Sequence, residues 1–92
     1  MTEILQSEAR EIAAKRVGEL EQEAGCRLAL LDASTVEVER GWVFFYNSTD
    51  FIQTGNPSDA LAGNGPLFVS LDGRLTELPS SKPWQRALKE LQ

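Results

Sequence analysis

The chain has no histidine among its 92 residues, which removes the usual general base, the usual activator of a nucleophile and the commonest metal ligand. The groups that remain offer little chemistry. Cys26 is the only cysteine, so no intrachain disulfide can form. Beside Gly25 and ahead of an apolar run it reads as a small buried thiol, with no imidazole to draw off its proton. Ser81 and Lys82 have the residue types of a Ser-Lys pair, but neighbours in sequence rarely face each other, and a cap-and-turn role accounts for both. The carboxylates of Asp50 and Asp59 flank one loop and are explained by solvated turn and cap positions. Gly63-Asn64-Gly65 is the one candidate phosphate cradle. It is too short for a P-loop, lacks the following Lys-Ser or Lys-Thr, and Pro66 removes an amide that a phosphate would need. Ligand spacing of the EF-hand or zinc type is absent. The expectation is a protein without catalysis, metal or cofactor.

Binding is the class of function that these exclusions leave. Hydrophobic residues make up 41% and charged residues 25%, a globular balance. The length suits one domain over residues 1–92, because two cores would each bury too little apolar surface. The formal charge of −5 is uneven: residues 1–24 hold six acids and three bases, residues 28–50 four acids and one base, and residues 51–92 four of each. With no basic stripe to neutralise phosphates, nucleic acid is not an expected partner, whereas the acidic field would steer a basic protein inward. No basic leader precedes an apolar core, and no apolar run nears the roughly 20 residues that cross a bilayer, so a cytoplasmic protein without membrane partners is expected.

The elements that would present a binding surface can be read from periodicity. Residues 4–24 carry Leu5, Ile12, Val17 and Leu20 with Ala9, Ala13 and Ala24 at the three-and-four spacing of one helical face. Thr2 is the candidate N-cap and Gly25 the candidate C-terminal stop. Gly18 inside this helix costs about 1 kcal/mol relative to Ala, so the apolar stripe must pack on something, namely a sheet. Leu28–Leu31 is continuously apolar and Thr35–Glu39 alternates. One irregular strand is the preferred reading, with Asp32-Ala33-Ser34 as a bulge, or alternatively as a turn between two strands. After Arg40-Gly41 the run Trp42–Tyr46 sets Trp42, Phe44 and Tyr46 on one face and Val43 and Phe45 on the other. Such a strand belongs between two covering layers. If both helices shielded one face, the other would keep aromatic area for a partner; the competing reading is a filled core.

Leu67–Leu71 and Arg74–Leu78 flank Asp72-Gly73, a two-residue hairpin signal that sets Leu67 opposite Leu78, Val69 opposite Thr76 and Ser70 opposite Leu75. Pro83–Leu91 has Trp84, Ala87, Leu88 and Leu91 at helical spacing, with Ser81 as a cap, and should lay Trp84 and Leu88 on the sheet. The fold class is therefore α+β: an antiparallel sheet of three to four strands packed against a long N-terminal and a short C-terminal helix, in the order α-β-β-(long loop)-β-β-α. The long loop, twenty residues between Tyr46 and Leu67, exceeds what a compact domain usually spends on a link. Phe51 with Ile52 should pin it. Thr54-Gly55-Asn56-Pro57 reads as a turn, Ser58 as a cap on a short helical turn over Ala60-Leu61-Ala62, and Gly63–Pro66 as a sharp end. Glycines 55, 63 and 65 suit positive φ or close backbone approach.

The run Gly41–Tyr46, followed by Phe51, Thr54-Gly55, Ala60–Pro66 and the Asp72-Gly73 hairpin, resembles the immunity protein 35 family, also described as YrhB-like, over roughly residues 5–91. The resemblance implies a small bacterial α+β protein of a family often encoded beside polymorphic toxins and inferred to neutralise them by direct binding. The partner it implies is a cognate protein toxin, blocked by steric occlusion with no reaction of the protein's own. A minority branch of the family is described as heat-stable and chaperone-like, which makes a holdase for unfolded clients the alternative. The resemblance carries no established binding residues. The loop and charge pattern nominates Asp50, Phe51, Asp59 and Asn64 as contacts, with Trp42, Phe44 and Tyr46 supporting the loop or lending aromatic area. Thr35–Glu39 is a candidate edge through which two copies could pair as a homodimer.

Overall fold

A computed structural model describes residues 3–56, 58 and 65–91. The chain is α+β, with helix α1 (Gln6–Ala24), strands β1 (Leu28–Leu30), β2 (Val36–Val38), β3 (Gly41–Phe44) and β4 (Tyr46–Ser48), helix α2 (Thr49–Thr54), strands β5 (Leu67–Ser70) and β6 (Leu75–Glu77), and helix α3 (Trp84–Glu90). Among the described residues the strands form a four-stranded antiparallel sheet in the order β2-β3-β5-β6 and a two-stranded one, β1-β4.

Helix α1 starts at Gln6, later than its apolar pattern begins. Its N-cap is Leu5, not Thr2, and the Leu5 amide donates to the Glu8 carboxylate at 2.9 Å, satisfying one of the free first-turn donors. At the other end Gly25 adopts the left-handed conformation (φ 72°) and its amide donates to the Glu21 carbonyl, the stop that only glycine makes without strain. The helix buries Ala9, Ala13 and Val17. Two of these three are alanines, so the helix axis can approach the sheet closely, while Ile12 and Leu20 pack at the margins and Leu5 and Ala24 stay exposed.

Residues 28–39 form two strands, not one, and the two lie in different sheets. A single 3-10 turn, Asp32–Ser34, separates them. Arg10 on α1 holds that turn with a fork of hydrogen bonds to Asp32, 2.7 and 3.0 Å long. The Arg10 guanidinium, first through those hydrogen bonds, keeps the Asp32 carboxyl below its ordinary pKa. The aromatic run is divided in the same way: β3 ends at Phe44, the Phe45 carbonyl accepts from the Leu31 amide at 2.8 Å, and β4 pairs with β1. A strand passing from one sheet to the other at Phe45 explains why neither half of the 28–48 region is a long, straight ribbon.

Face alternation through this break is as the sequence pattern requires. Trp42, Phe44 and Tyr46 are buried under α1 with Leu28, Leu67 and Val69. Val43 and Phe45 face the opposite way, where Phe68, Leu78, Ala87 and Leu88 close a second cluster beneath α3. Each face carries one helix, and Trp42, Val43, Phe44 and Tyr46 are all buried, so the filled-core reading of the aromatic strand holds. Trp84 braces α3 by meeting the Phe45 ring edge-on, with centroids 6.3 Å apart.

The hairpin lies where Asp72-Gly73 places it, but one residue out of the expected register. Leu67 pairs with Glu77, Phe68 with Thr76 and Val69 with Leu75. The loop has three residues: the Gly73 amide donates to the Ser70 carbonyl, Gly73 is left-handed (φ 85°), and the Ser70 amide donates to the Arg74 carbonyl. This is a type I turn closed by a glycine bulge, the other hairpin solution that Asp-Gly satisfies. Helix α3 begins at Trp84 with Pro83 at the N-cap and no side-chain cap, so Ser81 does not serve that role. Cys26, expected to be buried, is exposed, because β1 starts two residues later and the thiol lies on the connection from α1.

Candidate functional site

The connection between β4 and β5 carries the sequence-nominated contacts, and its described part begins as a helix. Residues Thr49–Thr54 form α2, capped by the Ser48 hydroxyl, which accepts from the Phe51 amide at 3.1 Å. Gly55 (φ 69°) ends it with an amide donated to the Phe51 carbonyl. Beyond the cap, the Thr54 hydroxyl accepts from the Asn56 amide at 3.1 Å, and the Asn56 side-chain oxygen accepts from the Ser58 amide and hydroxyl at 3.1 and 3.0 Å. Thr49 is tied to the body by its amide, which donates to the Arg27 carbonyl at 3.0 Å. The far end is fastened too. The Pro66 carbonyl accepts from the Leu78 amide at 2.9 Å, and Gly65 lies so near the Leu78 carbonyl that a Cβ there would collide with it.

The nominated residues fall into four groups. Asp50 is exposed in the first turn of α2, where a carboxylate also complements the helix N-terminus. Phe51 is half-buried, whereas Ile52, expected to help pin the loop, is 42% exposed; the ties that hold this segment are the backbone and cap hydrogen bonds at Ser48, Thr49 and Gly55. Trp42, Phe44 and Tyr46 are buried at 6%, 1% and 7% exposure in the core beneath α1, so they offer no aromatic surface to a partner. Asp59 and Asn64 lie outside the described residues, as do the helical turn expected at Ala60-Leu61-Ala62 and Gly63.

What the sequence reading missed is α2 itself and its exposed Ile52. The signal was present: Ser48, then Asp50 within the first turn, then Gly55 after just under two helical turns. Two threonines and an isoleucine in so short a segment mask it, because they lower helix propensity. The exposed surface of α2 therefore offers the Asp50 carboxylate beside the apolar side chain of Ile52. Among the described residues no group of three or more His, Cys, Asp or Glu side chains could hold a metal, and no helix is long and apolar enough to cross a membrane.

The described chain is thus a small α+β protein with a capped helix, α2, following directly on strand β4. A family model described as Immunity protein 35 matches residues 7–90, and the chain belongs to that family. It is also similar to the uncharacterized protein YrhB of Escherichia coli (strain K12), 33% identical over 52 residues. That match covers 55% of this chain and 55% of the relative, so it spans about half the length of each. No solved structure matches.

Proposed function

We propose that this protein is a bacterial antitoxin that neutralises a cognate polymorphic toxin by direct binding and steric occlusion, without a reaction of its own, in the cytoplasm of the cell that makes the toxin. The observation that carries the reading is the immunity family match across residues 7–90, which takes in α1, both sheets, α2 and α3. The geometry supports it through α2, whose exposed Asp50 and Ile52 sit on a backbone fixed at Ser48, Thr49 and Gly55. A fixed surface costs less ordering entropy when a partner docks. The acidity of the first half of the chain suits a basic toxin face.

The holdase alternative needs exposed aromatic area to capture unfolded clients, and Trp42, Phe44 and Tyr46 are buried instead. The test is co-expression with the toxin encoded beside the gene, followed by purification of the complex. A one-to-one complex with silenced toxin supports the reading; failure to co-purify, with protection of several unrelated clients from thermal aggregation, would favour the holdase. The measured stoichiometry also tests pairing of a second copy through β2, an edge of the four-stranded sheet. With Asp50→Lys and Asp59→Lys combined, toxin binding should weaken at least tenfold while the chain still folds, with stability lowered by no more than about 1 kcal/mol from the lysine in the first turn of α2; unaltered binding would move the interface elsewhere.

A further inference from the structure

A second surface lies on the opposite side of the sheet from α1, where α3 stops short. A trough of about 510 Å³ runs between the β5–β6 hairpin and the end of α3. Its floor is Phe68 and Leu88, each 8% exposed, and one wall is Leu91, 51% exposed. Arg40 and Arg74 also line it, and neither makes an ion pair among the described residues, whereas Arg10, Arg16, Lys82 and Arg86 all do. One carboxylate is present, Asp72; it is engaged by the Ser70 hydroxyl within the hairpin turn and also lies in the field of Arg74, which leaves the trough one positive charge in excess. Two guanidinium groups against one carboxylate reverse the balance of a chain with nine bases and fourteen acids.

We propose that this trough binds an acidic protein segment that inserts one or two large apolar side chains between Phe68, Leu88 and Leu91 and places carboxylates on Arg40 and Arg74. Arginine suits that task because its planar fork takes a carboxylate with two parallel hydrogen bonds. The trough is shallow and open, unlike the enclosing pockets that bury most of a small ligand, so the edge of a protein fits it better. The identity of the protein that carries the segment rests on the antitoxin reading; the chemistry of the segment does not.

The test uses the full chain labelled with ¹⁵N and two synthetic twelve-residue peptides. One has two leucines four residues apart flanked by glutamates, and its twin has lysines in place of the glutamates. The acidic peptide should shift the amides of Ser70–Arg74 and Ala87–Leu91, with the effect fading as salt is raised, and the basic twin should not. Combined Arg40→Glu and Arg74→Glu should weaken acidic-peptide binding at least tenfold with thermal unfolding unchanged. Equal shifts with both peptides, or shifts confined to other regions, would overturn the proposal. In parallel, the double variant should bind the toxin at least tenfold more weakly, and full-strength binding would exclude the trough from the toxin interface. A native chain that fails to bind the toxin would sink the antitoxin reading alone, since the peptide result judges the trough independently.

Discussion

The two faces of the four-stranded sheet are covered by helices of very different length, and that difference accounts for where the molecule is sealed and where it is open. Helix α1 has 19 residues and spans about 28 Å, enough to cross β1, β3 and β5. Its two buried alanines let Phe44, Leu67 and Val69 close beneath it to 1% exposure or less. Helix α3 has seven residues, about 10 Å, and contributes Ala87 and Leu88 over Val43, Phe68 and Leu78. It covers one end of its face and leaves the trough beside the hairpin tip. The same strands thus supply a packed core on one side and a partly open apolar surface on the other.

Truncations matched in chemistry would break or sharpen this contrast. Leu67→Ala on the α1 face should cost about 4 kcal/mol, because a fully buried site between a helix and two strands cannot collapse around the void. Leu88→Ala on α3 should cost about 2 kcal/mol, since the open trough lets neighbours and water relax into the space. Urea unfolding of the two variants measures both, and equal losses would mean that the α3 face is as tightly packed as the α1 face. Next in size, Ser48→Ala removes the α2 cap and should cost about 1 kcal/mol, seen in the same titration and as faster amide exchange at Phe51. Leu91→Gln on the trough wall should change stability by less than about 0.5 kcal/mol, because the side chain is half exposed already.

The smallest effect concerns pH. The folded-state pKa of Asp32 is depressed by Arg10, so the stabilisation from the pair is present above the unfolded-state value, about 3.9, and is lost as the pH falls through the lower folded-state value. Both groups are exposed and solvent screens them, so the contribution is slight. Asp32→Asn should make the acid limb of the stability profile shallower below about pH 4, with no change in its neutral plateau beyond the loss of the pair itself. An unchanged acid limb would show that the clip between α1 and the 3-10 turn contributes nothing.

Much of the architecture was legible because it follows from period alone. Ala9, Ala13 and Val17 recur at four-residue spacing and are the buried stripe of α1, and the alternation from Trp42 to Tyr46 assigned each side chain to the correct face even though the strand changes sheet at Phe45. Details decided by tertiary contacts were not legible. Asp72-Gly73 fits both a two-residue and a three-residue hairpin, and the choice between them shifts the register by one. Whether Leu28–Glu39 makes one strand or two depends on which strands it meets, and on the Arg10 fork that holds Asp32. In the candidate site, Asp50 and Phe51 were found as loop residues, but the helix that carries them was hidden by its β-branched residues.

The most direct test of the antitoxin reading is an isothermal titration of the purified chain with a purified candidate toxin, chosen from the reading frames that neighbour its gene, run alongside an assay of the toxin's activity. The account predicts saturation at one chain per toxin, with activity falling in proportion to the complex formed. No heat of binding, or tight binding that leaves the toxin fully active, would contradict it.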